Sequence, residues 1–383
     1  MQIDQLHRHP HCRCVGAKAL DTPYLTDTTA RPSLLHATVG CTILFLGVWA
    51  WGIEPDRVPP LPKDTLPAEL SLDAVPPGLA RSRAVPQDNQ LSAERVRLGR
   101  RLFFDPLLSA DGTVACASCH DPQHGFANDA PRAVGIRGKV GTRNAPSLLN
   151  RAYGSSFFWD GRTATLEAQA LEPIVNPLEL GSQVVEVVAK LAADAGYRQE
   201  FAAAYEGGVT AENLGRALAA FERVLLTGDS SIDRFQAGNA SALTDSQRQG
   251  FWVYESRGRC WRCHQGPNYT DEAFHNTGVA ALQSQPDPGR FAVTQNEADR
   301  GKFKTPSLRG VSRSGPYMHD GSLATLRDVV EFYNRGGGKN PQLDPLIRPL
   351  ELTPREIDSL VEFLKALDGV ELGVSPKTQS DDR

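Results

Sequence analysis

The chain has 383 residues, 40% apolar and 22% charged, and its 41 Lys and Arg against 45 Asp and Glu leave a net charge of −4. That length allows two domains with sizeable cores. Charges of both signs are spread along the sequence, which excludes the strongly basic face of a nucleic-acid binder.

Residues 1–33 are polar and include Arg8, Arg13, Lys18 and Arg31. Cys12 and Cys14 lie beside His7, His9 and His11; the set reads as a small metal cluster or, as we favour, as part of an unstructured basic cytoplasmic head. Segment 34–53 is apolar, lacks Lys, Arg, Asp and Glu, and contains Cys41. Its length at helical rise suits a transmembrane anchor with a cytoplasmic N-terminus. The rival is a cleavable signal segment ending at Ala50-Trp51-Gly52. In either case the rest of the chain is expected in the periplasm, tethered to the inner membrane or free of it. Eight prolines in 54–86 make 54–84 a Pro-rich linker, stiff and extended.

The folded body is expected from about Val85. Ser92 can cap a helix with Val96, Leu98, Leu102 and Phe103 on one face, and Gly99 within that face would allow close packing. Helical patterns recur at 163–172, at 184–191 and at 211–226, the last with Leu214, Leu218, Phe221 and Leu225. Thr244 and Gln247 form a capping box before Phe251 and Tyr254. A final helix has Thr353 as cap, Pro354 at its first position, Glu356 closing the box, Leu352 and Ile357 as a staple and Gly369 at its stop. No run shows strand alternation, so the body reads as mainly α.

Two stretches organise these elements: Cys116-Ala117-Ser118-Cys119-His120 and Cys260-Trp261-Arg262-Cys263-His264. Each is C-x-x-C-H, the attachment signature of a c-type haem, in which two thioethers hold the porphyrin and the histidine is left to ligate iron. A zinc site would want four ligands, and each motif offers three. His120 and His264 are therefore the expected iron ligands, and two covalently bound haem c groups the expected cofactors. Four of the seven cysteines are used in this way, which agrees with an oxidising compartment. The motifs lie 144 residues apart. We accordingly expect two cytochrome c-like haem domains with long loops, at 85–238 and 239–372, followed by a disordered tail at 373–383.

Between and around the motifs, the segment Phe158-Trp159-Asp160-Gly161-Arg162-Thr163-Ala164-Thr165-Leu166-Glu167-Ala168-Gln169, with Pro173 and Glu179-Leu180-Gly181, resembles the distal-pocket segment of bacterial di-haem cytochrome c peroxidases and MauG-type enzymes. So do Leu98-Gly99-Arg100, Arg143-Asn144-Ala145-Pro146, Lys304-Thr305-Pro306-Ser307-Leu308-Arg309 and Pro316-Tyr317-Met318-His319-Asp320-Gly321. The resemblance covers roughly 85–369 and keeps the order of the motifs. It implies that Gln169, Pro173 and Glu179 line a peroxide site at the first haem, the N-terminal or peroxidatic one. It also implies that Trp159 lies between the haems, and that Asn144 with the carbonyls of Ser314 and Pro316 binds one calcium ion. A carboxylate beside peroxide can take a proton from one oxygen and return it to the other, so that O–O cleavage releases water.

Typical relatives place a methionine ligand to the second, electron-transfer haem seventeen residues after the Pro of the Pro-Tyr-x-His-Asp-Gly motif; here that position is Tyr333, and the chain has only Met1 and Met318. Tyrosine there is the MauG-like pattern, and a hard phenolate favours the ferric state. Many peroxidases also block the oxidised first haem with a histidine about sixteen residues after the motif, where this chain has Ile136 and Arg137. An open first haem is thus expected. His124 reads as an exposed loop residue, and His275 and His319 remain as alternative ligands. The resemblance implies hydrogen peroxide as substrate, with electrons from a small c-type cytochrome or a cupredoxin. Alternatives are a MauG-like oxidation of side chains in a partner protein and a non-catalytic electron-transfer cytochrome. Relatives often dimerise, which makes a homodimer a further expectation.

Overall fold

The computed structural model describes residues 72–372. The predicted head, the segment at 34–53 with its anchor or signal role, Cys12, Cys14, Cys41, the first part of the linker and the tail at 373–383 lie outside the described residues. Among the described residues no helix is long and apolar enough to cross a membrane.

Ten helices carry the fold among the described residues: α1 (Ala93–Phe104), α2 (Leu166–Val175), α3 (Val184–Ala193), α4 (Ala195–Ala204), α5 (Ala211–Glu222), α6 (Ser231–Gln236), α7 (Asp245–Glu255), α8 (Phe291–Thr294), α9 (Leu326–Asn334) and α10 (Pro354–Lys365). Their starts follow local chemistry. The Ser92 hydroxyl accepts the Arg95 N–H, Thr165 accepts that of Ala168, and reciprocal boxes form at Thr244/Gln247 and Thr353/Glu356. Each satisfies donors that a helix N-terminus would otherwise leave unpaired.

Buried apolar residues form two main clusters. The first gathers α1, α3, α4 and α5 around Phe103, Phe104, Phe126 and Phe221. The second gathers α7, α9 and α10 around Tyr254, Tyr269 and Phe363, and takes in Ile232 of α6. Each is built on a helix crossing over a glycine. A Cβ on Gly99 would lie 1.9 Å from the Ala217 carbonyl oxygen of α5, and one on Gly250 would lie 1.9 Å from the Ser359 carbonyl oxygen of α10. Only a residue without a side chain allows this approach, and it lets Phe103 and Phe221 meet at 5.2 Å and Phe251 and Phe363 at 5.3 Å. Phe103, Phe221 and Phe363 are fully buried, and each such side chain contributes about 1.5–3 kcal/mol.

Several expectations need correction. Two small antiparallel sheets are present: β1 (Leu226–Gly228) pairs with β4 (Val370–Leu372), Leu226 opposite Leu372, and β2 (Phe274–His275) pairs with β3 (Phe303–Lys304). The helix expected to 226 ends at Glu222, because 226–228 leave it for this pairing. The helix expected at 163–172 begins at Leu166, after its Thr165 cap, and runs to Val175 with Pro173 inside it. Gly369 does not stop the last helix, which ends at Lys365. It lies instead against Gly228, where a Cβ would meet that residue's carbonyl oxygen at 2.2 Å. Residues 72–84, read as tether, are bound to the body: Asp229 N–H donates to the Pro77 carbonyl (2.8 Å), Tyr153 Oη to that of Ala80 (2.8 Å) and Arg309 Nη2 to that of Gly78 (2.8 Å).

Candidate active site

Both Cys-x-x-Cys-His stretches fold into the same tight turn. The N–H groups of Cys119 and His120 donate to the Cys116 carbonyl (3.1 and 3.0 Å), and those of Cys263 and His264 donate to the Cys260 carbonyl (3.2 and 2.9 Å). This brings both sulfurs and the imidazole to one side of the turn, on the wall of a cavity. His120 Nδ1 bonds the Phe126 carbonyl at 3.0 Å, and His264 Nδ1 bonds the Tyr269 carbonyl at 3.1 Å. Phe126 and Tyr269 both have left-handed backbones (φ 55° and 50°), so the two halves use the same device. A carbonyl accepts, so Nδ1 carries the proton and Nε2 keeps its lone pair for a metal. Burial holds both imidazoles below their ordinary pKa, in the neutral form that ligates. Burial also pushes the Cys116, Cys119 and Cys260 thiols up to about 12. Such apolar surroundings suit neutral thioethers, and the residues fit haem at both places.

The first cavity encloses about 1660 Å³ of unfilled space, its mouth included, and is lined by Cys116, Cys119 and His120 together with Trp159, Gln169, Pro173 and Glu179. The expected peroxide-site residues therefore share one chamber with the first motif. Pro173 sits inside α2 one turn after Gln169 and has no N–H to return to the Gln169 carbonyl. Gln169 Oε1 is buried in the chamber without a partner. Asn176 Nδ2 donates to Glu179 Oε1 at 2.6 Å and orients the carboxyl. Burial raises the Glu179 pKa, while Asn176 and Arg162 oppose the rise. The loop that would carry a blocking histidine packs on the backbone of this segment: Ile136 is 3% exposed, and its N–H donates to the Glu179 carbonyl at 2.9 Å.

The second cavity is lined by Cys260, Cys263, His264 and Tyr333. Tyr333 lies on α9, whose cap is Thr325, and burial pushes its phenol pKa up. Trp159 lines both cavities. Two hydrogen bonds hold it: its Nε1 donates to the Asn144 carbonyl (2.9 Å) and its carbonyl accepts the Lys304 N–H (2.8 Å), while Asn144 N–H in turn donates to the His319 carbonyl (2.8 Å). Beside it, Arg143 joins Asp160 (2.7 Å) to Asp287 (2.7 Å). Asn144, Ser314 and Pro316 all line the second cavity, but Asn144 Nδ2 donates to the Ala130 carbonyl at 3.0 Å.

The remaining histidines divide. His275 is held between Asp344 (2.6 Å) and Asp271 (3.0 Å), so both ring nitrogens are engaged. His319 stacks on Phe303 at 3.7 Å with Nε2 buried and unpartnered. His124 pairs with Asp121 at 3.1 Å on a half-exposed turn. Cys263, Asp271 and His275 offer ligand atoms within 4.8 Å of one another, but that sulfur belongs to the attachment motif. Sequence reasoning missed the Asp344 and Asp271 clamp on His275, and it missed Glu222, a buried carboxyl on the wall of the first cavity. Asp344 lies 69 residues from His275, and Glu222 is marked by burial alone, so neither has a local signal, although Asp271 is only four residues from His275.

A family model described as di-haem cytochrome c peroxidase matches residues 93–241. The methylamine utilization protein MauG of Methylorubrum extorquens is 41% identical over 284 residues, 74% of this chain and 80% of that protein. A cytochrome-c peroxidase of Denitromonas iodatirespirans is 33% identical over 335 residues, 79% of this chain and 89% of that one. Among solved structures, a MauG-like protein associated with microbial copper homeostasis superposes with a TM-score of 0.72 at 33% identity, over 81% of this chain and 97% of that one.

Proposed function

Because the chain belongs to the di-haem cytochrome c peroxidase and MauG family, we propose that it is an exported c-type peroxidase that reduces hydrogen peroxide to water at the Cys116–His120 centre, using electrons from a small cytochrome c or a cupredoxin. The observation that carries this reading is the single chamber that Gln169, Pro173 and Glu179 line together with His120. Haem bound there supplies an iron that can take an oxygen of peroxide and hold oxidising equivalents.

The chain's own residues do the rest. Glu179, oriented by Asn176, takes the proton from one peroxide oxygen and returns it to the other, which leaves as water. Its raised pKa suits both directions of that transfer. Gln169 Oε1 accepts a hydrogen bond from the incoming peroxide, and Pro173 narrows the chamber without adding a donor. His120 and His264 would hold the two haem irons, and Trp159, on the walls of both cavities, would lie on the path for electrons between them. Tyr333, on the wall of the same cavity as His264, would be the further protein ligand for the group held at Cys260–His264. Asn144 with the Ser314 and Pro316 carbonyls is assigned one calcium ion on the second wall, and the N-terminal segment serves export or tethering at the inner membrane. The two hydrophobic clusters correspond to one haem domain each.

Tyr333 in place of a methionine favours a second reading, in which the oxidising equivalents are drawn from side chains of a partner protein. Peroxide-dependent oxidation of a reduced small cytochrome c decides between them. Glu179→Gln should lower that rate by about 100-fold or more if Glu179 moves the proton. An undiminished rate would remove Glu179 from the reaction, and no cytochrome oxidation by the wild type would leave the partner-protein reading.

A further inference from the structure

Six cationic side chains line the second cavity, and five have an evident place. Arg151 and Lys304 share Glu272 (2.9 and 3.1 Å), Arg309 forms a doubly bonded pair with Asp233 (2.7 and 2.8 Å), and Arg262 and Arg348 are exposed. Arg259 is different. Its Nε and Nη1 are shut off from solvent with no hydrogen-bond partner, and no carboxylate pairs with it among the described residues. A guanidinium without an anion is costly to bury. Its backbone is also left-handed (φ 56°), although Gly258, the residue suited to that conformation, is its neighbour. The fold therefore accepts local strain that keeps an arginine side chain on the cavity wall directly before Cys260.

We propose that Arg259 binds a carboxylate carried by the occupant of this cavity: a propionate of the second haem. The inference rests on the di-haem reading above. A guanidinium offers parallel N–H donors that match a carboxylate, and haem is the one expected occupant that carries such groups. The pairing would neutralise the buried cation and raise the haem's potential, because an unpaired propionate would stabilise the ferric state.

The test is a redox titration of the full-length holoprotein followed by optical spectroscopy, with Arg259→Gln and Arg259→Lys alongside. In R259Q the oxidised form of the second haem should gain about tenfold over the reduced form, a fall of about 59 mV for a one-electron couple. The first haem should shift less, and R259K, which keeps the charge, should recover most of the change. Loss of the second haem in R259Q but not in R259K would equally support the pairing. An unchanged potential in R259Q with both haems attached would overturn it, as would loss of the second haem in both variants, which would give Arg259 a role in the loop alone. A wild-type chain carrying fewer than two covalent haems would instead defeat the di-haem reading itself.

Discussion

Glu222 shows how a single buried residue ties the first cavity to proton binding. It is 5% exposed, its Oε2 has no partner, and the adjacent cation, Arg223, is taken by Glu167 at 2.6 and 2.9 Å. Burial pushes its carboxyl up to about 8. The folded state therefore holds a proton that the unfolded chain releases at ordinary carboxylate pH, so stability falls as pH rises between the two values and levels off above the folded one. Replacing Glu222 with Gln removes this slope. Urea unfolding of the holoprotein should find E222Q and the wild type alike near pH 4 and E222Q more stable near pH 9, by on the order of 4 kcal/mol; parallel pH profiles would contradict the assignment. Residues such as Cys116, Cys119 and His120 were legible because covalent attachment needs only five consecutive positions. Glu222, Arg259 and the Asp344 contact of His275 were not, because their character comes from burial and from partners distant in sequence.

Helices α1 and α7 stand in equivalent roles, each crossing the closing helix of its own cluster over a glycine. A methyl group at Gly99 meets the α5 backbone at Ala217, which has no flexible end to give way. Gly99→Ala should therefore cost about 1–3 kcal/mol or more by overpacking, read as a lower urea midpoint, even though alanine is the better helix former. An unchanged midpoint would mean that the helices separate freely. Gly99 could be singled out in the sequence because it interrupts an apolar face. Gly250 sits at the boundary between a polar run (245–249) and a largely aromatic one (251–254) and gave no such sign. Helix starts were readable for the same local reason: Ser92, Thr244 and Thr353 act on N–H groups three residues away. Helix ends were less so. The end of α5 depends on the pairing of Leu226 with Leu372, and no window around residue 226 contains its partner.

At the scale of the whole molecule, the two motifs and their separation raise the expectation of two halves with one haem each, and the position of Tyr333 that of the MauG-like variant. The joint between the halves was not readable: Arg143 reaches Asp287, Arg151 reaches Glu272, and the Trp159 carbonyl accepts from Lys304. Through this joint Trp159 borders both cavities, and the account depends on electrons crossing it to a first centre that peroxide can enter at once. Ile136, at the position where the sequence resemblance would put a blocking histidine, packs instead against the Glu179 segment. The decisive measurement is stopped-flow mixing of the fully oxidised holoprotein with peroxide and a reduced small cytochrome c, with no prior reduction of either haem. The account predicts turnover from the first encounter, with two cytochromes oxidised for each peroxide consumed. A lag that disappears only when the second haem is reduced beforehand would contradict it.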